Sequence, residues 1–314
     1  MPRSLLSLSI AALLSVPAAA EALLSVDFDR GEPRAYTMGQ WRADFPNAPW
    51  QSGGIVSGRA ALVADDTPGH AGLNLRVAFP AGSVGPGNGS ANDEGGNGGG
   101  GVNFPATFGT PAETATLTYR FKFEDGFDFS RGGKLPGLAG FGLDNRIASG
   151  GRPADGTSGF SARGMWFRDG RATQYVYHMD VGAPNAPYGD RFYYQHPDGS
   201  DFFYETGRWY EMSTTLKLNT PDAADGFLET TLDGVTVMRR EGLRFRTDPA
   251  VQIDNVYVST FHGGADITWS PANDSYIRFD DFRVVTGAPI PEPSAGLGAA
   301  AIGLAASRTV SRRR

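Results

Sequence analysis

The sequence has no cysteine and only four histidines, His70, His178, His196 and His262. Disulfides, thiol nucleophiles and thiolate-held zinc are excluded, and a histidine-rich metal centre lacks ligands. No long amphipathic helical pattern runs between the two ends. A basic surface is missing as well. The chain of 314 residues carries a net charge of −6; residues 1–20 contribute +1 and residues 288–314 contribute +3, so residues 21–287 carry −10. Nucleic acid selects basic surfaces, so it is not an expected partner. A polyanionic sugar would meet no long-range attraction either, and only a few local cations could hold it.

Both ends read as addresses. Arg3, an apolar run over 5–14, Pro17 and Ala18-Ala19-Ala20 have the order of a secretory signal peptide, expected over 1–20. The run is too short to span a bilayer. At the other end stand Pro291-Glu292-Pro293, an apolar stretch over 295–306, then Arg308 and Arg312-Arg313-Arg314. This order resembles the PEP-CTERM sorting signal. The resemblance implies handling by sorting and processing machinery at the inner membrane. The expected location is outside the cytoplasm: periplasm, cell surface or medium, with at most transient anchoring by the tail over 288–314.

The 267 residues over 21–287 suffice for one large domain. They consist of short alternating or β-branched runs broken by Gly, Pro, Asn and Asp. Strands are expected over 23–28, 55–63, 73–79, 114–123, 160–167, 173–179, 210–218, 227–232, 235–240, 253–261 and 276–285. Many short strands with frequent turns imply an all-β sandwich or barrel. Asp233-Gly234 between two runs signals a hairpin, and the first and last strands are expected to pair. Residues 85–101 hold nine glycines, too many to pack a core. They read as a solvated loop, with a flap over a cleft as the other reading.

The chemistry concentrates in residues 131–180. Lys134 sits in Lys134-Leu135-Pro136-Gly137, read as a loop; Ser161-Ala162-Arg163 follows, then Tyr175-Val176-Tyr177 beginning twelve residues after the arginine. This pattern resembles polysaccharide lyase family 14. Gly207-Arg208-Trp209-Tyr210 and Asp254-Asn255-Val256-Tyr257 extend it loosely, whereas the glycine-rich insert departs from it. The resemblance implies a jelly-roll β-sandwich of two antiparallel sheets with a concave substrate groove. It also implies cleavage of a polyuronate of the alginate or glucuronan type.

The residues allow a geometric reading of their own. Phe167-Arg168-Asp169-Gly170-Arg171 has the form of a three-residue hairpin loop with Gly170 in the left-handed position. Ser161 then faces Tyr177 and Arg163 faces Tyr175, with all four side chains on one face. Phe160, Ala162, Trp166, Ala172 and Val176 fall on the other, apolar face, as does His178, read as a hydrogen-bonded structural histidine. A two-residue turn would reverse the tyrosines, but it would break this apolar–polar partition.

Polyuronate cleavage by β-elimination removes the C5 proton and expels the C4 oxygen. The substrate carboxylate must be neutralised, a base must take the proton, and an acid must protect the leaving oxygen. Lys134, Tyr175 and Tyr177 are the candidate catalytic residues, with the tyrosines unranked and Lys134 a possible base if its pKa is depressed. Ser161, Arg163, Asn103 and His262 are the candidate substrate-binding residues. Neither a metal nor a cofactor is required. Two other functions compete: a glycoside hydrolase on the same fold, and a non-catalytic carbohydrate-binding matrix protein. The first needs two carboxylates flanking the bond; Glu124-Asp125 and Glu229 offer no such pair, and the laminarinase-type E-x-D-x-x-E strand motif is absent.

Overall fold

The computed structural model describes residues 21–65, 67, 71–87, 99–182, 184–264 and 266–286. The expected signal peptide over 1–20, the sorting tail over 288–314 and residues 88–98 of the glycine-rich segment lie outside them. In chain order come β1 (Glu21–Val26), β2 (Arg34–Ala35), α1 (Met38–Asp44), β3 (Ala60–Asp65) and β4 (Gly72–Phe79). Then follow β5 (Val102–Ala112), β6 (Thr114–Phe123), β7 (Gly132–Phe141), β8 (Gly159–Phe167) and β9 (Ala172–Tyr177). The last are β10 (Asp190–Tyr193), β11 (Trp209–Lys217), β12 (Gly226–Leu232), β13 (Val235–Leu243), β14 (Ile253–Thr260) and β15 (Ser275–Thr286).

Among the described residues these strands form two antiparallel sheets, a jelly-roll β-sandwich. The larger runs β13-β12-β11-β6-β15-β4-β3-β2, with β1 paired to β15; the smaller runs β10-β9-β8-β7-β14-β5. Strand β6 shows why they stack. Ala115, Leu117, Tyr119, Phe121 and Phe123 point inward and are buried. Thr116 and Thr118 point outward, where their hydroxyls meet those of Thr215 and Ser213 on β11 at 2.8 and 3.0 Å. This period-two alternation gives the sheet one apolar face. The smaller sheet answers with Phe104, Leu138, Phe160, Ala162, Trp166, Ala172 and Val176. Edge-to-face contacts of Trp166 with Phe79, Phe123 and Phe127, at 6.0, 5.5 and 5.4 Å, join the two layers.

The turn chemistry works as expected. Asp233 (φ 50°) and Gly234 (φ 77°) close the β12–β13 hairpin, the left-handed pair that a two-residue type I′ loop requires. The β8–β9 loop is closed by the Phe167 amide donating to the Arg171 carbonyl at 2.8 Å. Gly170 is left-handed (φ 80°), and so is Asp169 (φ 59°). Ser161 pairs with Tyr177 and Arg163 with Tyr175, and β1 pairs with β15.

Three strands of the smaller sheet, β5, β7 and β10, were not expected from the sequence. Lys134 therefore lies on a strand and not in a loop. The glycines around it serve close approach of neighbouring strands. A Cβ on Gly133 would fall 2.1 Å from the Trp166 ring, and one on Gly137 would fall 2.1 Å from the Ala162 carbonyl. A register shift between Lys134 and Gly137 leaves the ladder without need of the N–H that Pro136 lacks. The strand expected over 55–63 begins only at Ala60, because residues 53–59 form a turn with Gly58 left-handed (φ 74°). Helix α1, also unforeseen, is started by a capping box between Thr37 and Gln40.

Candidate active site

One row of the smaller sheet crosses all six of its strands in register. It reads Arg191 on β10, Tyr175 on β9, Arg163 on β8, Gly137 on β7, Tyr257 on β14 and Pro105 on β5. The same face carries Lys134, Met165, Ser161 and Tyr177, and also Asn103, which pairs with Ser259. Ala148 and Ala154 from the β7–β8 loop pack on Met165, Tyr175 and Tyr177, walling one side of this face.

Gly137 has no side chain, and the Arg163 guanidinium lies across that gap. It sits 5.0 Å from the Tyr257 ring centre and 5.7 Å from that of Tyr175, within cation–π range. It is only 2 % exposed. Its Nη1 donates to Ser259 Oγ at 3.0 Å, while its Nε has no partner. Among the described residues no carboxylate lies within ion-pair distance of Arg163, Lys134 or Arg191. On the larger sheet, by contrast, Arg76 and Arg278 pair with Glu124, and Lys122 and Arg278 pair with Asp65. A buried charge without a counter-ion is costly, so the contrast marks the smaller sheet's outer face as a place for an anion.

Lys134 is half-buried. Its Nζ donates to the Gly263 carbonyl at 3.1 Å and lies 5.5 Å from the ring centres of Tyr175 and Phe261. Burial pushes its pKa down to about 7, and the neighbouring Arg163 and Arg191 push the same way. Tyr175 and Tyr177 meet hydroxyl to hydroxyl at 3.3 Å. Each also accepts a backbone amide, Tyr175 from Gly189 and Tyr177 from Gly151, both at 3.3 Å. Tyr175 is 6 % exposed and Tyr177 only 1 %. Burial and the adjacent Tyr177 raise the Tyr175 pKa, with Arg163 opposing.

The remaining expected residues divide. Asn103 is on the face, and its Oδ1 has no partner. Ser161 is on the correct face but fully buried, and its hydroxyl donates to the Ala148 carbonyl at 2.8 Å. It braces the β7–β8 loop and does not reach a ligand, which corrects its expected binding role. His262 is corrected more strongly. Its ring is turned into the core, stacked on Phe127 at 5.4 Å, and its Nε2 donates to the Asp128 carbonyl at 2.7 Å. Burial drives its pKa down to about 4. His178 is structural, as expected: Nδ1 accepts from the Asp180 amide, and Nε2 bonds Asp190 Oδ2 at 2.9 Å. Asp190 in turn accepts from Asn185 at 2.7 Å, ordering the loop that supplies the Gly189 amide to Tyr175.

Arg191, Ser259 and Met165 escaped the sequence reading, and Tyr257 entered it only as part of a loose match. Their strands lie far apart in the chain. The one available signal was the alternation of Asn255, Tyr257 and Ser259 with the apolar Val256 and Val258. Among the described residues no group of acidic or histidine side chains could hold a metal ion.

A family model described as polysaccharide lyase 14 matches residues 67–282. The alginate lyase Aly36B is 27 % identical with a TM-score of 0.64, over 83 % of this chain and 95 % of that one. Its variant with one lysine and one tyrosine replaced by alanine, in complex with an alginate tetrasaccharide, is 26 % identical with a TM-score of 0.65, over 83 % and 95 %. The marine PL-14 alginate lyase from Aplysia kurodai, 22 % identical over 84 % of this chain and 99 % of that one, shares the fold with a TM-score of 0.67. A search of curated proteins gave no match.

With its pKa lowered to about 7, Lys134 loses its proton as pH rises through neutrality. If turnover uses the free amine, kcat/KM rises with pH along a limb near that value. Replacing Arg191 by Gln removes one of the charges that disfavour the ammonium, so the limb moves to higher pH. A pH–rate profile of both proteins measures this, and an unmoved limb would contradict the coupling.

Proposed function

This chain belongs to polysaccharide lyase family 14 and is a polyuronate lyase, and we propose that its β-elimination runs on Lys134 and Tyr175 at the outer face of the smaller sheet. One observation carries this assignment: three cations share that face, and none has a carboxylate partner among the described residues. A uronate carboxylate supplies the missing negative charge.

Lys134 acts as the base. A pKa near 7 leaves a substantial fraction of neutral amine at neutral pH, suited to proton abstraction. It takes the proton from C5, and the charge spreads into the adjacent carboxylate. Arg191, exposed at the end of the row, receives a substrate carboxylate directly. Arg163, almost wholly covered, stabilises the developing charge through its field, and low exposure makes that field strong. Arg163 thereby acts on the substrate from beneath the surface and not by the direct contact that a substrate-binding role implies.

Tyr175 acts as the acid. Its raised pKa keeps the hydroxyl protonated until the C4 oxygen leaves. The C4–O bond breaks, the C4=C5 double bond forms, and the departing oxygen takes the Tyr175 proton. The Lys134 ammonium then returns a proton to the phenolate. Tyr177 is a positioning residue: its hydroxyl shares a hydrogen bond with that of Tyr175 at 3.3 Å, and its ring meets the Tyr175 ring edge to face. The lysine and tyrosine replaced in the Aly36B tetrasaccharide complex support a mechanism divided between these two residue types, and alginate is the first substrate to test. Glu124 and Glu229, the carboxylates a hydrolase would need, lie on the larger sheet in ion pairs with Arg76, Arg278 and Arg239.

The signal-like segment over 1–20 and the Pro291-Glu292-Pro293 tail support export and sorting at the inner membrane. The mature protein is expected to begin near Glu21 and to lack the tail; mass spectrometry showing an intact Arg314 on the exported protein would contradict tail processing.

Wild-type protein should generate absorbance from the unsaturated product on alginate or polyglucuronate. Lys134→Ala and Tyr175→Phe should each lower kcat by about 10²–10⁴-fold, with Tyr177→Phe falling less. Arg163→Lys keeps the charge but not the guanidinium stacked between two rings, so it should lower kcat more than it raises KM. Folded Lys134→Ala and Tyr175→Phe variants that match the wild type would place the chemistry elsewhere.

A further inference from the structure

Beyond the Pro105 end of the catalytic row, the face does not stop at the sheet. Strand β5 is an edge of the smaller sheet, and residues 47–52 run alongside it. The Thr107 hydroxyl donates to the Asn47 carbonyl, and the Ser52 amide donates to the Asn103 carbonyl at 3.0 Å. The segment is thus tied to β5 on both sides of Pro105. Trp50 lies between the two ties. Its ring meets that of Tyr257 edge to face, 6.3 Å apart at 78°, yet Trp50 remains 40 % exposed. A large indole is held in a defined orientation, in line with the row, with much of its surface open to solvent.

We propose that Trp50 is a sugar-stacking platform at the end of the groove, holding a uronate unit several residues away from the bond that is cut. The proposal rests on the polyuronate lyase reading and extends it to substrate length. The Arg163 guanidinium bridges the Tyr175 and Tyr257 rings at 5.7 and 5.0 Å, and the Trp50 ring lies 6.3 Å from that of Tyr257, so platform and acid are separated by at most about 17 Å, roughly three strand spacings. A pyranose ring has a C–H-rich face, which packs on the electron-rich face of an indole. Such a contact attracts without charge, which suits a groove whose cations Lys134, Arg163 and Arg191, unpaired among the described residues, gather toward the reacting unit. Trp50 also precedes residues 67–282, the segment that the family model matches.

The test compares wild type, Trp50→Ala and Trp50→Phe on alginate polymer and on purified trisaccharide, with thermal midpoints measured for all three. Trp50→Ala should raise KM for polymer about tenfold, leave kcat within about twofold and leave trisaccharide turnover unchanged. Trp50→Phe should recover most of the loss. Equal KM on polymer for wild type and Trp50→Ala would overturn the platform while leaving the lyase intact. Equal loss of kcat on polymer and trisaccharide, or a lowered thermal midpoint, would show a structural role and also overturn it. If the wild type releases no unsaturated product from any polyuronate, the functional reading fails and the platform fails with it.

Discussion

The guanidinium of Arg163, buried between two tyrosine rings without a carboxylate, is the constraint on which the site depends. Its charge is held by the faces of Tyr175 and Tyr257 and by one hydroxyl, Ser259. That arrangement needs a glycine at 137, since a Cβ there would strike the neighbouring strand. It also needs a bulge in β7, which carries Lys134 past Pro136. Burial lowers the Lys134 pKa to about 7, helped by this charge and that of Arg191, and the same charge opposes the upward shift that burial gives Tyr175. Burial sets the direction of both shifts, and the uncompensated cation deepens the one on Lys134 and moderates the one on Tyr175.

The division of labour between the sheets follows. On the larger sheet the half-buried cations Arg76, Lys122, Arg278 and Arg120 are matched by Glu124, Asp65 and Glu211. On the outer face of the smaller sheet Lys134, Arg163 and Arg191 have no ion-pair partner among the described residues, while Asp190 and Asp254 on its strands bond His178 and the Phe141 amide. An overall charge of −6 would repel a polyanion at long range, so recognition is deferred to contact distance, where burial strengthens each interaction. Salt should therefore affect this enzyme less than one that steers its substrate with a basic surface.

Local chemistry made the central hairpin legible in the sequence. The Arg168-Asp169-Gly170 loop fixed the register of Ser161, Arg163, Tyr175 and Tyr177, because a one-residue slip would have buried the polar set and exposed Trp166 and Val176. The Asp233-Gly234 turn was readable for the same reason. Strands β5 and β7 were hidden because Pro105, Gly132, Gly133, Pro136 and Gly137 carry turn-like propensity, which tertiary packing overrides. Ser161 and His262 have polar side chains that the fold employs internally, and pattern alone cannot tell a hydroxyl aimed at a loop carbonyl from one aimed at a ligand. Arg191 and Ser259 became visible only when strands distant in the chain were laid side by side.

The central claim is that the open cations of the smaller sheet are reserved for substrate carboxylates. The most direct measurement is binding of a uronate hexasaccharide to the inactive Tyr175→Phe variant, compared with the same oligosaccharide after its carboxyls are reduced to alcohols. The account predicts that the acidic form binds at least about tenfold tighter, the equivalent of about 1.4 kcal/mol. It also predicts that Arg191→Gln, introduced into the same variant, narrows the gap. Equal affinity for the acidic and reduced forms would contradict it.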